Sequence, residues 1–87
     1  MIVGIDIGGT TTDAVAIKDR KILKIVTVTA DDPLAAAAGA LGKLVTSLNV
    51  TLEDVKVLAA TGGGARFLGN ELLGVPVKKI DEITAIE

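Results

Sequence analysis

Apolar and polar positions change their period part-way along this chain. Ile2-Val3-Gly4-Ile5-Asp6-Ile7 is a short apolar run rich in β-branched residues and predicts a strand covered on both faces. Gly8-Gly9 is a turn signal, followed by the hydroxyl residues Thr10, Thr11 and Thr12. Residues 13–18 predict a second strand, Asp19-Arg20-Lys21 a polar turn, and residues 22–28 a third strand interrupted by Lys24 and Thr27. Three sequential strands with tight turns make an antiparallel meander.

From Asp32 the spacing becomes helical. Asp32 suits an N-cap and Pro33 the first helical position. Leu34, Ala38, Leu41, Leu44, Val45 and Leu48 recur at three- and four-residue steps, and Asn49 is a C-terminal stop. Gly39 and Gly42 weaken this helix, and the expected return is close approach to a sheet. Residues 51–54 predict one short capped turn and residues 56–61 a fourth strand. Gly62-Gly63-Gly64 leads into a second helix over residues 65–73, ended by Gly74 and Pro76. Residues 77–80 predict a fifth strand, and residues 81–86 the start of a third helix. The order is β-β-β-α-β-α-β. It implies an α/β mixed sheet, antiparallel first and then parallel through helical crossovers.

Composition narrows the class. The chain has 87 residues, 49% hydrophobic and 23% charged, with net charge -2, which fits one globular domain and excludes intrinsic disorder. Nine Lys and Arg against 11 Asp and Glu leave no basic excess for a nucleic-acid partner. Cys and His are absent, so chemistry falls to carboxylates, Lys, Arg, hydroxyls and the backbone. No apolar run is long enough for a membrane span, and the first residues lack a signal peptide's basic region and cleavage site; a cytoplasmic protein is expected. One aromatic, Phe67, makes a thin core for a free-standing domain.

Two glycine loops carry candidate chemistry. In Asp6-Ile7-Gly8-Gly9-Thr10-Thr11-Thr12-Asp13, glycines at a hairpin tip bring backbone N–H groups close to an anion, and three hydroxyls can donate to phosphate oxygens. Asp6, at the strand end before the tip, suits a hydrated Mg²⁺ beside those phosphates. A plain Gly-Gly hairpin turn is the competing explanation; it leaves a carboxylate in an apolar strand unaccounted for. Neither common nucleotide motif, GxxxxGK[ST] or GxGxxG, is present. In the second loop, Gly62, Gly63 and Gly64 precede a predicted helix N-terminus, a natural anion site to which Arg66 adds charge. A tight strand–helix turn explains the same residues. Glu82 is either a catalytic carboxylate or a first-turn acid behind an Asp81 cap. Asp31 and Asp32 read as capping, and Lys78 and Lys79 as solvated strand-edge charges.

Ile5-Asp6-Ile7-Gly8-Gly9-Thr10 on the first hairpin of this unit resembles the first phosphate loop of the actin/Hsp70/sugar kinase superfamily. That resemblance implies an RNase H-like (actin-like ATPase) half-domain, two of which hold ATP and Mg²⁺ in the cleft between them. It spans residues 1–87 as the N-terminal half of a two-domain protein. Thr61-Gly62-Gly63-Gly64-Ala65-x-Phe67 with Lys79-Ile80-Asp81-Glu82 is similar to type II pantothenate kinase and to BadF-type ATPases that activate acyl-CoA dehydratases. Gly8-Gly9-Thr10-x-Thr12-Asp13-Ala14-Val15 is instead similar to the N-terminal region of hydantoinase/oxoprolinase proteins. Asp13 stands where the kinase and BadF families usually carry Lys, whereas the hydantoinase pattern lacks the triple glycine. The longer second motif favours the pantothenate kinase/BadF-like group.

The resemblance implies the following roles. Asp6 organises the metal and is catalytic together with Glu82; Gly8, Gly9, Thr10, Thr11 and Thr12 hold phosphates, as do Gly62, Gly63, Gly64 and Arg66 of the second loop; Glu82 and Arg66 face the cleft. The expected partners are a nucleotide and either a missing second half-domain or a second copy of the chain, whose Gly8-Gly9 loop would oppose the first. The competing class is a non-catalytic module that folds and self-associates.

Overall fold

The computed structural model describes residues 1–80. Six strands form one sheet: β1 (Ile2–Ile7), β2 (Thr11–Lys18), β3 (Lys21–Thr29), β4 (Val57–Thr61), β5 (Glu71–Leu72) and β6 (Val75–Lys79), in the spatial order β3-β2-β1-β4-β6-β5. β1, β4 and β6 are parallel, while the β1–β2, β2–β3 and β5–β6 pairs are antiparallel. The mixed sheet and its antiparallel-then-parallel character agree with the sequence pattern.

The single long helix among the described residues, α1 (Pro33–Leu48), lies on one sheet face. Its ends form for the reasons its sequence suggests. Asp32 Oδ1 accepts from the Leu34 N–H at 3.2 Å, and Asn49 closes the helix in the left-handed conformation at φ 57°. Ala36, Ala37, Ala40, Leu41, Leu44 and Val45 are its buried residues. They meet Val3, Ile5, Ile7, Ala14, Ala16, Leu58 and Ala60 in the core. The alanines bring helix and sheet together. Gly39 and Gly42 do not: a Cβ on Gly39 would meet Val28 Cγ1 at an ordinary 3.8 Å, and one on Gly42 would meet nothing within 4 Å. The turn expected at residues 51–54 is a one-turn 3-10 helix over Leu52–Asp54, closed by reciprocal Thr51 and Asp54 bonds.

Two further expectations are corrected. The second helix over residues 65–73 does not form. One 3-10 turn at Ala65–Phe67 is followed by the β5–β6 hairpin. Gly69 and Asn70 sit in the middle of that segment and oppose helix propagation, and Leu73 and Gly74 both take positive φ, 53° and 84°, as a tight hairpin turn requires. β1 is not covered on both faces either. Val3, Ile5 and Ile7 are buried beneath α1, while Ile2 and Asp6 are exposed on the opposite face. No described element lies across that opposite face. The predicted helix at residues 81–86, with Asp81 and Glu82, falls outside the described residues.

Candidate functional site

Register brings the candidate residues together. β1 and β4 run parallel, so residues 8–11 and the loop at residues 62–64 leave the sheet at the same end, where open α/β sheets place ligands. The loops are joined directly: the Gly64 N–H donates to Ile7 O at 3.0 Å. Gly62 has φ +92°, and a Cβ there would stand 2.5 Å from both Asp6 Oδ1 and Ile7 O. Any side chain at position 62 would therefore displace the Asp6 carboxylate. A Cβ on Gly64 would collide with the Ile7 side chain. Close packing at the end of β1 thus accounts for these two glycines, and Gly63 is the member of the triplet left open to solvent.

The hairpin tip is open. Gly8, Gly9, Thr10 and Thr11 are exposed, and a Cβ on Gly9 would meet nothing within 4 Å. The Gly8 N–H donates to Thr11 O at 3.0 Å and is consumed in the turn. The Gly9 and Thr10 amides have no backbone acceptor in that turn among the described residues. Thr12 is different from its neighbours: it is 1% exposed, on the helix-covered face, so its hydroxyl does not reach the tip. Arg66 is exposed with its guanidinium 4.9 Å from the Phe67 ring centroid, a cation–π pair beside the second loop. It stands beside a single 3-10 turn rather than a long helix's N-terminus. Lys78 and Lys79 are exposed, beyond the short stretch of β6 that β5 pairs.

Asp6 is exposed, so no desolvation cost has to be explained; its placement is the informative feature. Thr27, Asp13, Asp6 and Thr61 are successive register partners on β3, β2, β1 and β4. They form one polar row across the uncovered face at its glycine-loop end. The next row, Ile25, Val15, Gly4 and Ala59, is apolar, and with Asp13, Asp6 and Thr61 of the polar row it lines a cavity of about 300 Å³. The Thr27 hydroxyl donates to Asp13 Oδ1 at 2.7 Å. Thr61 Oγ1 is buried with no hydrogen-bond partner among the described residues. Sequence reasoning assigned no role to Asp13, Thr27 or Thr61. A signal was present for Asp13: in a hairpin whose tip lies between Ile7 and Thr12, residues 6 and 13 must face each other. Thr61 depends on pairing across more than fifty residues, which no local pattern carries.

The residues fit a hydrated divalent cation carried by a polyphosphate. The described residues contain no group of three or more carboxylate, His or Cys side chains able to cage an ion. A pair of carboxylates next to free backbone amides suits Mg²⁺, which keeps most of its waters and takes few protein ligands.

The family model for the hydantoinase/oxoprolinase N-terminal region matches residues 2–72. The chain belongs to that family. The match follows the resemblance of the first loop rather than the pantothenate kinase/BadF-like resemblance of the second. Among curated proteins no sequence matches. Among solved structures, the activator of 2-hydroxyisocaproyl-CoA dehydratase from Clostridium difficile, with bound ADPNP, superposes with TM-score 0.76 at 24% identity, over 93% of this chain and 29% of that one. Component A of (R)-2-hydroxyglutaryl-CoA dehydratase from Acidaminococcus fermentans gives 0.76 and 24%, over 93% and 30%. YeaZ from Pseudomonas aeruginosa gives 0.66 and 14%, over 92% and 44%. These likenesses establish the actin-like ATPase fold for this member of the hydantoinase/oxoprolinase family. The chain spans about three tenths of the length of the two dehydratase proteins.

Proposed function

We propose that this hydantoinase/oxoprolinase-family chain is an ATP- and Mg²⁺-binding half-domain of an ATP-dependent protein. The supporting observation is Asp6, exposed at the base of an open Gly-Gly tip, with Gly62 packed against its carboxylate so closely that a Cβ is excluded. The Gly9 and Thr10 amides, with the Thr10 and Thr11 hydroxyls, meet phosphate oxygens. Asp6 binds the cation through its coordinated water, and Gly63 lies where the second loop reaches the same anion. The ADPNP bound to the dehydratase activator of the same fold supports a nucleotide as the ligand. Bound Mg·ATP supplies a transferable phosphoryl group, and the chain's own residues hold and orient it.

A single sheet with one face uncovered by described residues leaves a bound polyphosphate open to solvent on one side, where its attraction to the site is weak. A second half-domain, or a second copy of the chain, completes the cleft. Asp13, in place of the Lys usual in the kinase group, speaks for the hydantoinase-type ATPase over the pantothenate kinase reading. Calorimetric titration with Mg·ATP tests the proposal. Binding by the chain that is lost in Asp6→Asn, at unchanged stability, is the expected result; equal heats from both proteins would refute it.

A further inference from the structure

We propose that residues 81–87 of this chain are the cover of the open sheet face. This goes beyond the nucleotide reading and does not rest on it. The face needs a cover on general grounds. β1, β4 and β6 are parallel, and parallel strands are almost always covered on both sides. Here α1 fills one side, and no described element lies on the other. The row Ile25, Val15, Gly4 and Ala59 carries no polar side chain, and Ile2, Ile22 and Ile25 on the same face are 45%, 63% and 60% exposed. Neighbouring apolar side chains left open in this way mark a docking surface.

The path of the chain selects the occupant. β6 runs parallel to β4, so it leaves the sheet at the glycine-loop end. Ile80 prolongs the ladder: its N–H donates to Ala60 O at 2.7 Å. Its side chain is half-buried and lines the cavity of about 300 Å³ together with Gly4, Val15, Ile25 and Ala59. The last described residue thus already lies on the open face, while α1 closes the opposite one. Next come Asp81-Glu82-Ile83-Thr84-Ala85-Ile86-Glu87. Asp81 suits an N-cap, and Ile83 and Ile86 continue from Ile80 at three-residue steps, the spacing of one apolar stripe on a helix. A helix of this length is about 10 Å long, enough to lie over the apolar row next to the polar one. Charge agrees: residues 81–87 contain acids but no Lys or Arg, and Lys78, the register partner of Ala59, is exposed on the open face. Tethering decides against a separate molecule. A segment joined directly to the patch acts at an effective concentration of roughly millimolar, so a second copy present at lower concentration loses the competition.

The chain has no Cys, so Thr84→Cys gives a single attachment point for a nitroxide label, and the amide signals of the otherwise unchanged chain report what lies near it. No nucleotide is added, which keeps the result separate from the phosphate-binding reading. Signals of Gly4, Val15 and Ala59 are expected to be lost, with those of Ala35, Gly39 and Thr46 on the exposed side of α1 retained. Adding Ile83→Asp and Ile86→Asp should restore the lost signals, because the stripe then carries charges that resist burial. Helix circular dichroism confirms the fold of each variant, and the labelled Thr84→Cys chain alone remains decisive should the charged variant not fold. Equal broadening on both sides of the sheet, or broadening unchanged by the two aspartates, would overturn the proposal. So would loss of the same signals in unlabelled, isotope-enriched chains mixed with labelled ones, which would assign the face to a second copy.

Discussion

Two glycines in the middle of α1 are the clearest opportunity to stabilise the fold by substitution. Replacing Gly39 and Gly42 by Ala removes backbone freedom from the unfolded chain and adds helix propensity, together worth roughly 0.5–1 kcal/mol per site in a helix interior. The gain survives only where the new methyl has room. A Cβ on Gly42 meets nothing within 4 Å, and one on Gly39 meets Val28 Cγ1 at 3.8 Å, an ordinary contact. The double variant should therefore gain about 1–2 kcal/mol. For a domain of this size each kcal/mol moves the melting midpoint by roughly 4–8 °C, so a rise of about 5–15 °C is expected. Urea and thermal unfolding followed by helix circular dichroism measure it. Gly64→Ala is the internal control, because its methyl collides with Ile7 and crowds Pro33, and overpacking of this kind costs roughly 1–3 kcal/mol. Loss of stability in Gly42→Ala, or none in Gly64→Ala, would refute the packing described for both places.

Other expectations follow from single observations. Leu73 is 53% exposed at φ 53°, a conformation that costs a non-glycine side chain about 1 kcal/mol, so Leu73→Asn should raise stability by up to about that amount in urea unfolding. A loss would show that the leucine is held there by packing. The Asp54 carboxyl is held below its ordinary value of 3.8, chiefly by the Thr51 backbone N–H, which donates to Oδ2 at 2.8 Å. A lowered folded-state value means that Asp54 stabilises above pH 3.8 and that this support fades as pH falls through the lower folded-state value. Asp54→Asn should accordingly be less stable than the parent at neutral pH, and the gap should narrow in acid; a gap that is constant with pH would contradict the assignment.

Much of the fold can be read from the sequence because its punctuation is local. Asp32-Pro33, Asn49 and the Thr51/Asp54 pair each specify an end by their own chemistry. The segment after Gly64 misleads because its leucines and alanine favour a helix, while the turn that prevents one places Leu73 at a positive φ that turn rules do not assign to leucine. β1 hides its alternation because Gly4 occupies an exposed-face position without showing polarity, leaving Asp6 as the sole polar residue of an apparently continuous apolar run. The tip and Asp6 are legible as a site because they are contiguous. The polar row as a whole is not: only the hairpin partners Asp6 and Asp13 are near in sequence, while Thr27 and Thr61 join them by register across four strands.

Amide chemical-shift mapping during titration of the chain with Mg·ATP is the most direct test of where the ligand sits. A second cavity, of about 530 Å³, lies at the opposite end of the sheet, lined by Met1, Lys18 and Lys56 together with Asp19 and Asp54, and is the alternative place to look for a ligand. Shifts gathered at Asp6, residues 8–11 and residues 62–64 are predicted. Shifts confined to the Met1 end, or none at millimolar nucleotide, would contradict a metal-bound polyphosphate at the Gly8-Gly9 tip.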